Sequence, residues 1–104
     1  MANVKISAFA QSDLREIWAY VAENNSPAAD KLIKELLQKI RLLANNVELG
    51  KDRSDIIVNL RSFPVRKYIV FYALNENTIE IYRVLHASRN IEELFEDYFG
   101  GLNE

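Results

Sequence analysis

The single histidine of this chain, His86, stands inside "RVLHASRN" with Arg83 and Arg89 three residues to either side. Imidazole, with an ordinary pKa of about 6.5, is the side chain suited to carrying a proton at neutral pH. Arginine offers a planar fork of donors that matches a phosphate. Metal-free cleavage of RNA needs a base for the ribose 2′-hydroxyl, cations for the charge developing on phosphate, and an acid for the leaving oxygen. His86 can be the base, Arg61, Arg66 or Arg89 the cations, and Tyr82 or Tyr98 the acid. The same stretch has a structural reading. His86 then ends a strand and bonds nearby backbone or a carboxylate, Arg89 ties the turn to the body, and Asn90 caps a helix. That reading is preferred, because structural ion-paired residues imitate functional ones.

Composition removes other chemistries. The chain has no cysteine, which excludes disulfides, thiolate metal sites and a Cys nucleophile. Its only glycines are Gly50, Gly100 and Gly101, so no glycine-rich loop can cradle a nucleotide phosphate. One histidine and scattered carboxylates do not make the donor set of a zinc site, and neither metal nor cofactor is expected. No apolar run approaches the ~20 residues of a spanning helix or forms a signal-peptide core, so a cytoplasmic protein without membrane attachment is expected. The net charge of −2 is unevenly spread. Five acids and no base follow Asn90, leaving 13 bases against 10 acids in residues 1–89. Between Leu60 and Arg89 the bases Arg61, Arg66, Lys67, Arg83 and Arg89 outnumber Glu76 and Glu80. Such a cluster is either a solvated face or a binding surface.

The elements that must position these residues follow from periodicity. "NVKIS" at 3–7 reads as a short strand, and Ser7 can cap the helix after it. Ala10, Leu14, Ile17, Trp18 and Val21 recur on one helical face, which assigns Trp18 to the core. Ser26 is the expected cap of a second helix with Pro27 at its first position. That helix buries Leu32, Ile33, Leu36, Leu37, Ile40 and Leu43, and the short connection makes an antiparallel hairpin. "NNVELGKDRSD" reads as a loop. Beyond it the period drops to two in "IVNLRSF", "RKYIVFYAL" and "TIEIYRVLH", with a hairpin turn at 75–77 and a bulge or edge position at Pro64. The middle run is apolar on both faces, Tyr68, Val70 and Tyr72 on one and Ile69, Phe71 and Ala73 on the other, which marks a strand covered on both sides. Asn90 with Glu93 forms a capping box for a short last helix. The expectation is one α+β domain over 1–104: an N-terminal strand, an antiparallel helical hairpin, a three-stranded antiparallel sheet segment and a short C-terminal helix.

This order, with "LGKDRSDI…NLRSFPVRKYIVFY…IEIYRVLHASRN", resembles the toxins of the RelE/ParE superfamily of bacterial type II toxin–antitoxin systems, the ParE branch most. The acidic residue usual after the last arginine is here Asn90. The resemblance implies a compact toxin neutralised by a cognate ParD-like antitoxin, whose C-terminal segment folds onto it. It also implies contact with operator DNA only through that antitoxin. ParE-like members are associated with inhibition of DNA gyrase, and RelE-like members with cutting messenger RNA on the ribosome.

Fold does not choose between these activities. Against the nuclease, strand alternation puts Arg83 and His86 on opposite faces. The chain is net acidic where RNA binding favours strong basicity, and its C-terminal end is acidic. The expectation is a gyrase-binding toxin that is not itself an enzyme, using a basic surface of Arg61, Arg66, Lys67 and Arg89. The alternative is a metal-independent endoribonuclease using His86, Arg66 and Arg89. A third reading is a homologue that only binds its antitoxin and acts as co-repressor. For the antitoxin, the expected contacts are Tyr20 and Leu42 on the hairpin and Phe95 and Phe99 near the C-terminus. Phe95, Tyr98, Phe99 and Leu102 have docking on the sheet as their other reading.

Overall fold

A computed structural model describes residues 2–95, so Phe99, with Tyr98 and Leu102, lies outside the described residues. The chain runs through β1 (Asn3–Ile6), α1 (Ala8–Ala22), α2 (Ser26–Asn45), a 3-10 turn (Val47–Leu49), β2 (Lys51–Asp52), β3 (Arg61–Val65), β4 (Tyr68–Asn75), β5 (Thr78–His86) and α3 (Ile91–Phe95). The strands form one sheet in the order β1-β5-β4-β3-β2. Successive hairpins make β2 to β5 antiparallel, whereas β1 lies parallel to β5 with Asn3 opposite Thr78 and Ile6 opposite Ile81. A parallel neighbour needs a long crossover, and here the helical hairpin with the rest of the sheet provides it. The sheet thus has five strands where the sequence pattern shows four. The extra one, β2, is two residues long, too short to carry a period.

Both helices start on side-chain caps. Ser7 Oγ accepts the Ala10 N–H at 3.0 Å. In α2 the cap is Asn25, one residue before the expected Ser26: its Oδ1 accepts the Ala28 N–H at 3.0 Å. Pro27 then falls within the first turn, where a missing N–H still costs nothing. The α1 stripe also departs from expectation. Trp18 is 41% exposed, and its Nε1–H donates to Asp30 on α2 at 2.8 Å. Asp13 is buried in its place, at the inward position between Ala10 and Ile17.

Helix α2 delivers Leu36, Ile40 and Leu43 onto Val70, Tyr72, Ile79, Ile81 and Val84 of the sheet, with Ala10 and Ile17 from α1. The opposite sheet face buries Phe71 and Leu85 beneath Leu60, Phe95 and the partly buried Ile56, Ile57 and Ile91. β4 is therefore covered on both faces, as its composition requires. The strand expected from Ile57 begins only at Arg61. Residues 53–60 close into turns instead, with Arg53 N–H donating to Leu60 C=O at 2.8 Å and Asn59 at φ 67. Ile56, Ile57 and Leu60 cover the far face without joining the ladder, while Val58 is exposed. Pro64 sits in β3 beyond the end of β2, which pairs only as far as Ser62, so it occupies an edge position. The sheet's irregularity lies elsewhere: Phe71 faces Arg83 and Tyr72 faces Ile81, which leaves Tyr82 as an extra residue in β5.

Tyr72 joins the sheet to the 3-10 turn. Its hydroxyl accepts the Gly50 N–H at 2.8 Å and donates to Val47 C=O at 2.7 Å. A Cβ at position 50 would overlap that ring, which explains the glycine there. Burial pushes the Tyr72 hydroxyl above its ordinary pKa of 10.0, against the opposing effects of the Gly50 bond and Arg61. A phenol raised on folding contributes stability that is complete below its unfolded pKa and disappears as pH climbs through the folded value. The thermal midpoint should therefore hold from neutral pH to about 10 and fall above it. Tyr72→Phe should lower stability by about 2 kcal/mol at neutral pH, by leaving a buried donor and acceptor unpaired. It should also flatten the alkaline fall, and melting curves across pH check both effects.

Candidate functional site

β5 is nine residues long, but β1 covers only Thr78 to Ile81. Past that point the outer edge of β5 has unpaired backbone groups, which buried strands cannot leave unsatisfied. The start of α1 supplies the partners. Ser7 N–H donates to Ile81 C=O at 3.0 Å, and Ser7 Oγ–H donates to Tyr82 C=O at 2.9 Å. Asp13 Oδ2 accepts the Val84 N–H at 2.9 Å. Arg83 then neutralises this buried carboxylate through a two-pronged contact, Nε to Oδ2 at 2.8 Å and Nη2 to Oδ1 at 2.9 Å. Its guanidinium also lies over the Phe9 ring, 5.7 Å from the centroid. Arg83 and His86 therefore do not act together: Arg83 is held by α1, while His86 bonds within its own turn.

Arg61 is likewise committed. Half-buried, it donates from Nη1 to Gly50 C=O at 2.8 Å, so it joins β3 to the chain before β2. Its guanidinium is therefore not part of a solvated face.

The remaining cations converge. An open groove of about 750 Å³ lies between the helical hairpin and the end of the sheet. Glu16, Tyr20, Val21 and Leu32 line its helical side, and Tyr68, Val84 and His86 its sheet side. Arg66 and Lys67 enter from the β3–β4 turn and Ser88 and Arg89 from the turn after β5. The two turns are joined by Ala87 N–H donating to Lys67 C=O at 2.8 Å. Tight two-residue geometry puts Arg66 at φ 55, a left-handed conformation that directs it away from the ladder. Its guanidinium pairs with Glu35 of α2, which raises the arginine pKa above its ordinary range. Lys67 and Arg89 are exposed and pair with no carboxylate among the described residues.

His86 closes the turn locally. Its Nδ1 accepts the Ser88 N–H at 3.1 Å and lies 2.7 Å from Ser88 Oγ, which assigns the ring proton of the neutral form to Nε2. Its ring meets Tyr68 edge to face, centroids 5.4 Å apart. Burial, and secondarily the nearby Tyr20, push the Tyr68 hydroxyl above its ordinary value, so it is a neutral phenol in the groove. Asn90 caps α3 as expected: Oδ1 accepts the Glu93 N–H at 3.2 Å, and Nδ2 donates to the Glu93 carboxylate at 3.2 Å.

Of the residues singled out in the sequence, Tyr20, Arg66, Lys67, His86 and Arg89 share the groove. Leu42 is exposed on α2 outside it, and Arg61 lies elsewhere. Phe95 is 2% exposed, packed edge to face on Phe71, which withdraws it from the expected antitoxin contacts in favour of docking on the sheet. Sequence reasoning missed Asp13, Tyr68 and Ser88. For Asp13 the signal was present, a carboxylate inside an apolar stripe. For Tyr68 it was the hairpin register that sets it opposite His86. Among the described residues no cluster of His, Cys, Asp or Glu could hold a metal ion, and no helix is long and apolar enough to cross a membrane.

Residues 4–91 match the family model described as the ParE toxin of the type II toxin–antitoxin system, parDE. The chain is 32% identical over 80 residues to Toxin ParE3 of Caulobacter vibrioides, covering 76% of this chain and 80% of that protein. Its fold is similar to that in the chromosomal ParDE system of P. aeruginosa, with a TM-score of 0.72 at 18% identity, over 83% of this chain and 96% of the other. It is also similar to that in the YoeB–YefM complex of Staphylococcus aureus, with a TM-score of 0.57 at 19% identity, over 83% and 97%.

The Asp13–Arg83 pair carries a prediction of its own. Arg83→Met keeps the length of the side chain but leaves a buried carboxylate without its cation, and should cost about 3–5 kcal/mol, read from the urea midpoint. Asp13→Leu combined with Arg83→Met should recover part of that loss, because the stranded charge is gone.

Proposed function

Because the chain belongs to the ParE toxin family of type II toxin–antitoxin systems, we propose that it acts by docking on a protein target, DNA gyrase, and that a cognate ParD-like antitoxin neutralises it. The observation that carries this reading is the cationic rim of the groove. Lys67 and Arg89 are exposed with no carboxylate partner among the described residues, and Arg66 stands beside them. Cations displayed on adjoining turns steer and orient an acidic partner surface without needing a reaction. Arg61 leaves the proposed contact set because its guanidinium is spent on Gly50. The block is stoichiometric and takes place in the cytoplasm, where the target is. The antitoxin covers exposed apolar residues of the hairpin, Tyr20 and Leu42, and operator DNA is reached only through it.

A second reading has its own support. His86 and Tyr68 face one another in the same cationic groove, which is the inventory of a metal-independent endoribonuclease. Gyrase supercoiling assays with the purified chain, beside transcript mapping after induction in cells, separate the two. Inhibited supercoiling with intact transcripts is expected. Lys67→Glu with Arg89→Glu should weaken the inhibition at least about tenfold, and salt should weaken it further. Cleaved transcripts that vanish with His86→Ala would instead establish the nuclease.

A further inference from the structure

Target docking leaves the contact between Ser88 and His86 without a role. The Ser88 N–H already donates to His86 Nδ1, so that nitrogen bears a lone pair and no proton. With Nδ1 as acceptor, the Ser88 hydroxyl is the donor in the shorter contact, 2.7 Å, and the two donors share the one Nδ1 lone pair. The turn does not need this bond. It is closed by Arg89 N–H on His86 C=O at 3.0 Å, by Ala87 N–H on Lys67 C=O at 2.8 Å and by Ser88 N–H on the imidazole. What the hydroxyl contact adds is an exposed serine oxygen with a base in hydrogen-bond reach, the arrangement that activates an oxygen nucleophile.

The surroundings select the electrophile. Acyl transfer requires N–H donors directed at a developing oxyanion. The N–H groups of Ala87, Ser88 and Arg89 are all engaged, so none of these three serves that role. The groove offers cations instead: Arg66, Lys67 and Arg89 line it with Ser88. Cations suit the equatorial oxygens of a phosphoryl group in transfer. We propose that Ser88 is a phosphoryl acceptor, with His86 as its base, modified by a transferase that brings a nucleoside triphosphate. The donor site belongs to that transferase, because this chain has no glycine-rich phosphate loop. In the step, Ser88 Oγ forms a bond to the γ-phosphorus as the bond from that phosphorus to the bridging oxygen breaks. The electron pair leaves with the nucleoside diphosphate, and the hydroxyl proton passes to His86 Nδ1 as the longer Ser88 N–H contact is released.

The product carries a charge of about −1.5 to −2 on the rim where Lys67 and Arg89 are exposed. Where the rim is the target-docking surface, a consequence that rests on the reading above, phosphorylation would switch the toxin off by cancelling that rim. The nucleophile itself does not depend on the identity of the target.

Diisopropyl fluorophosphate tests it directly, since it supplies a phosphorus electrophile without a second enzyme. The Oγ–P bond forms, fluoride leaves and His86 takes the proton. Treated with it, the full chain should gain one diisopropylphosphoryl group by intact mass, mapped to Ser88 and not to Ser7, Ser12, Ser26, Ser54 or Ser62. Ser88→Ala should take no label, and His86→Gln should react about 100-fold more slowly. Circular dichroism confirms that the variants fold, and the mapping on the unaltered chain is decisive without them. No adduct, an adduct on another residue, or an unchanged rate in His86→Gln would overturn the proposal, whatever the chain does to gyrase.

Discussion

The groove side of this molecule depends on the place where β1 stops. A four-residue strand beside a nine-residue one leaves half an edge with polar backbone groups facing no strand. Ser7 and Asp13, from the cap and second turn of α1, satisfy that edge with side chains. The substitution has two consequences. It brings α1 across the end of the sheet, because a carboxylate can bond a strand N–H only at about 3 Å. It also puts an anion where water is scarce, which commits Arg83 to neutralising it. The sheet edge is protected from stray pairing by the same groups.

With the helical hairpin set over the end of the sheet, the two turns at that end face the same opening. The β3–β4 turn and the turn after β5 are far apart in sequence, yet one backbone bond between Ala87 and Lys67 joins them. Arg66, Lys67, Ser88 and Arg89 thus become neighbours in a groove whose other side is helical. The charge of the whole chain is a poor guide to this surface. Net charge is acidic, but five of the acids follow Asn90 in the sequence, and Lys67 and Arg89 present their cations to solvent.

Most of the fold was legible in the residues because its signals are local and redundant. The α2 stripe, the doubly apolar β4 and the Asn90–Glu93 cap each repeat one requirement at several positions. The misreadings fall where a residue answers to a distant partner. Trp18 sits next to an inward position, and only the presence of Asp30 on the facing helix turns it outward to bond there. "IVNLRSF" has the composition of a strand, yet Ile57 and Leu60 find their burial against Phe71 and Leu85 from turns. Phe95 looks like surplus apolar surface until the far face of the sheet is built beneath it. β2 carries no pattern at all, since two residues have no period. Of the candidate site, the cations and His86 were legible as residue types, but their grouping was not. Arg61, Arg66, Lys67, Arg83 and Arg89 are alike in sequence. They differ only in whether a carbonyl or carboxylate from another element lies within reach.

The sequence by itself determined the chemistry on offer and the elements that carry it. It has no thiol, no glycine-rich phosphate loop, one imidazole, a run of cations between Leu60 and Arg89, and a helical hairpin followed by a meander. These are decided by residue type and by periods of 3.6 and two, which do not depend on where the chain later folds. The tertiary structure alone decided which cations are spent and which remain exposed. It also decided that the last turn of the sheet meets the turn before β4, and that Ser88 reaches His86 beside them. Such choices depend on long-range hydrogen bonds at a strand edge, and an edge exists only once the sheet has formed.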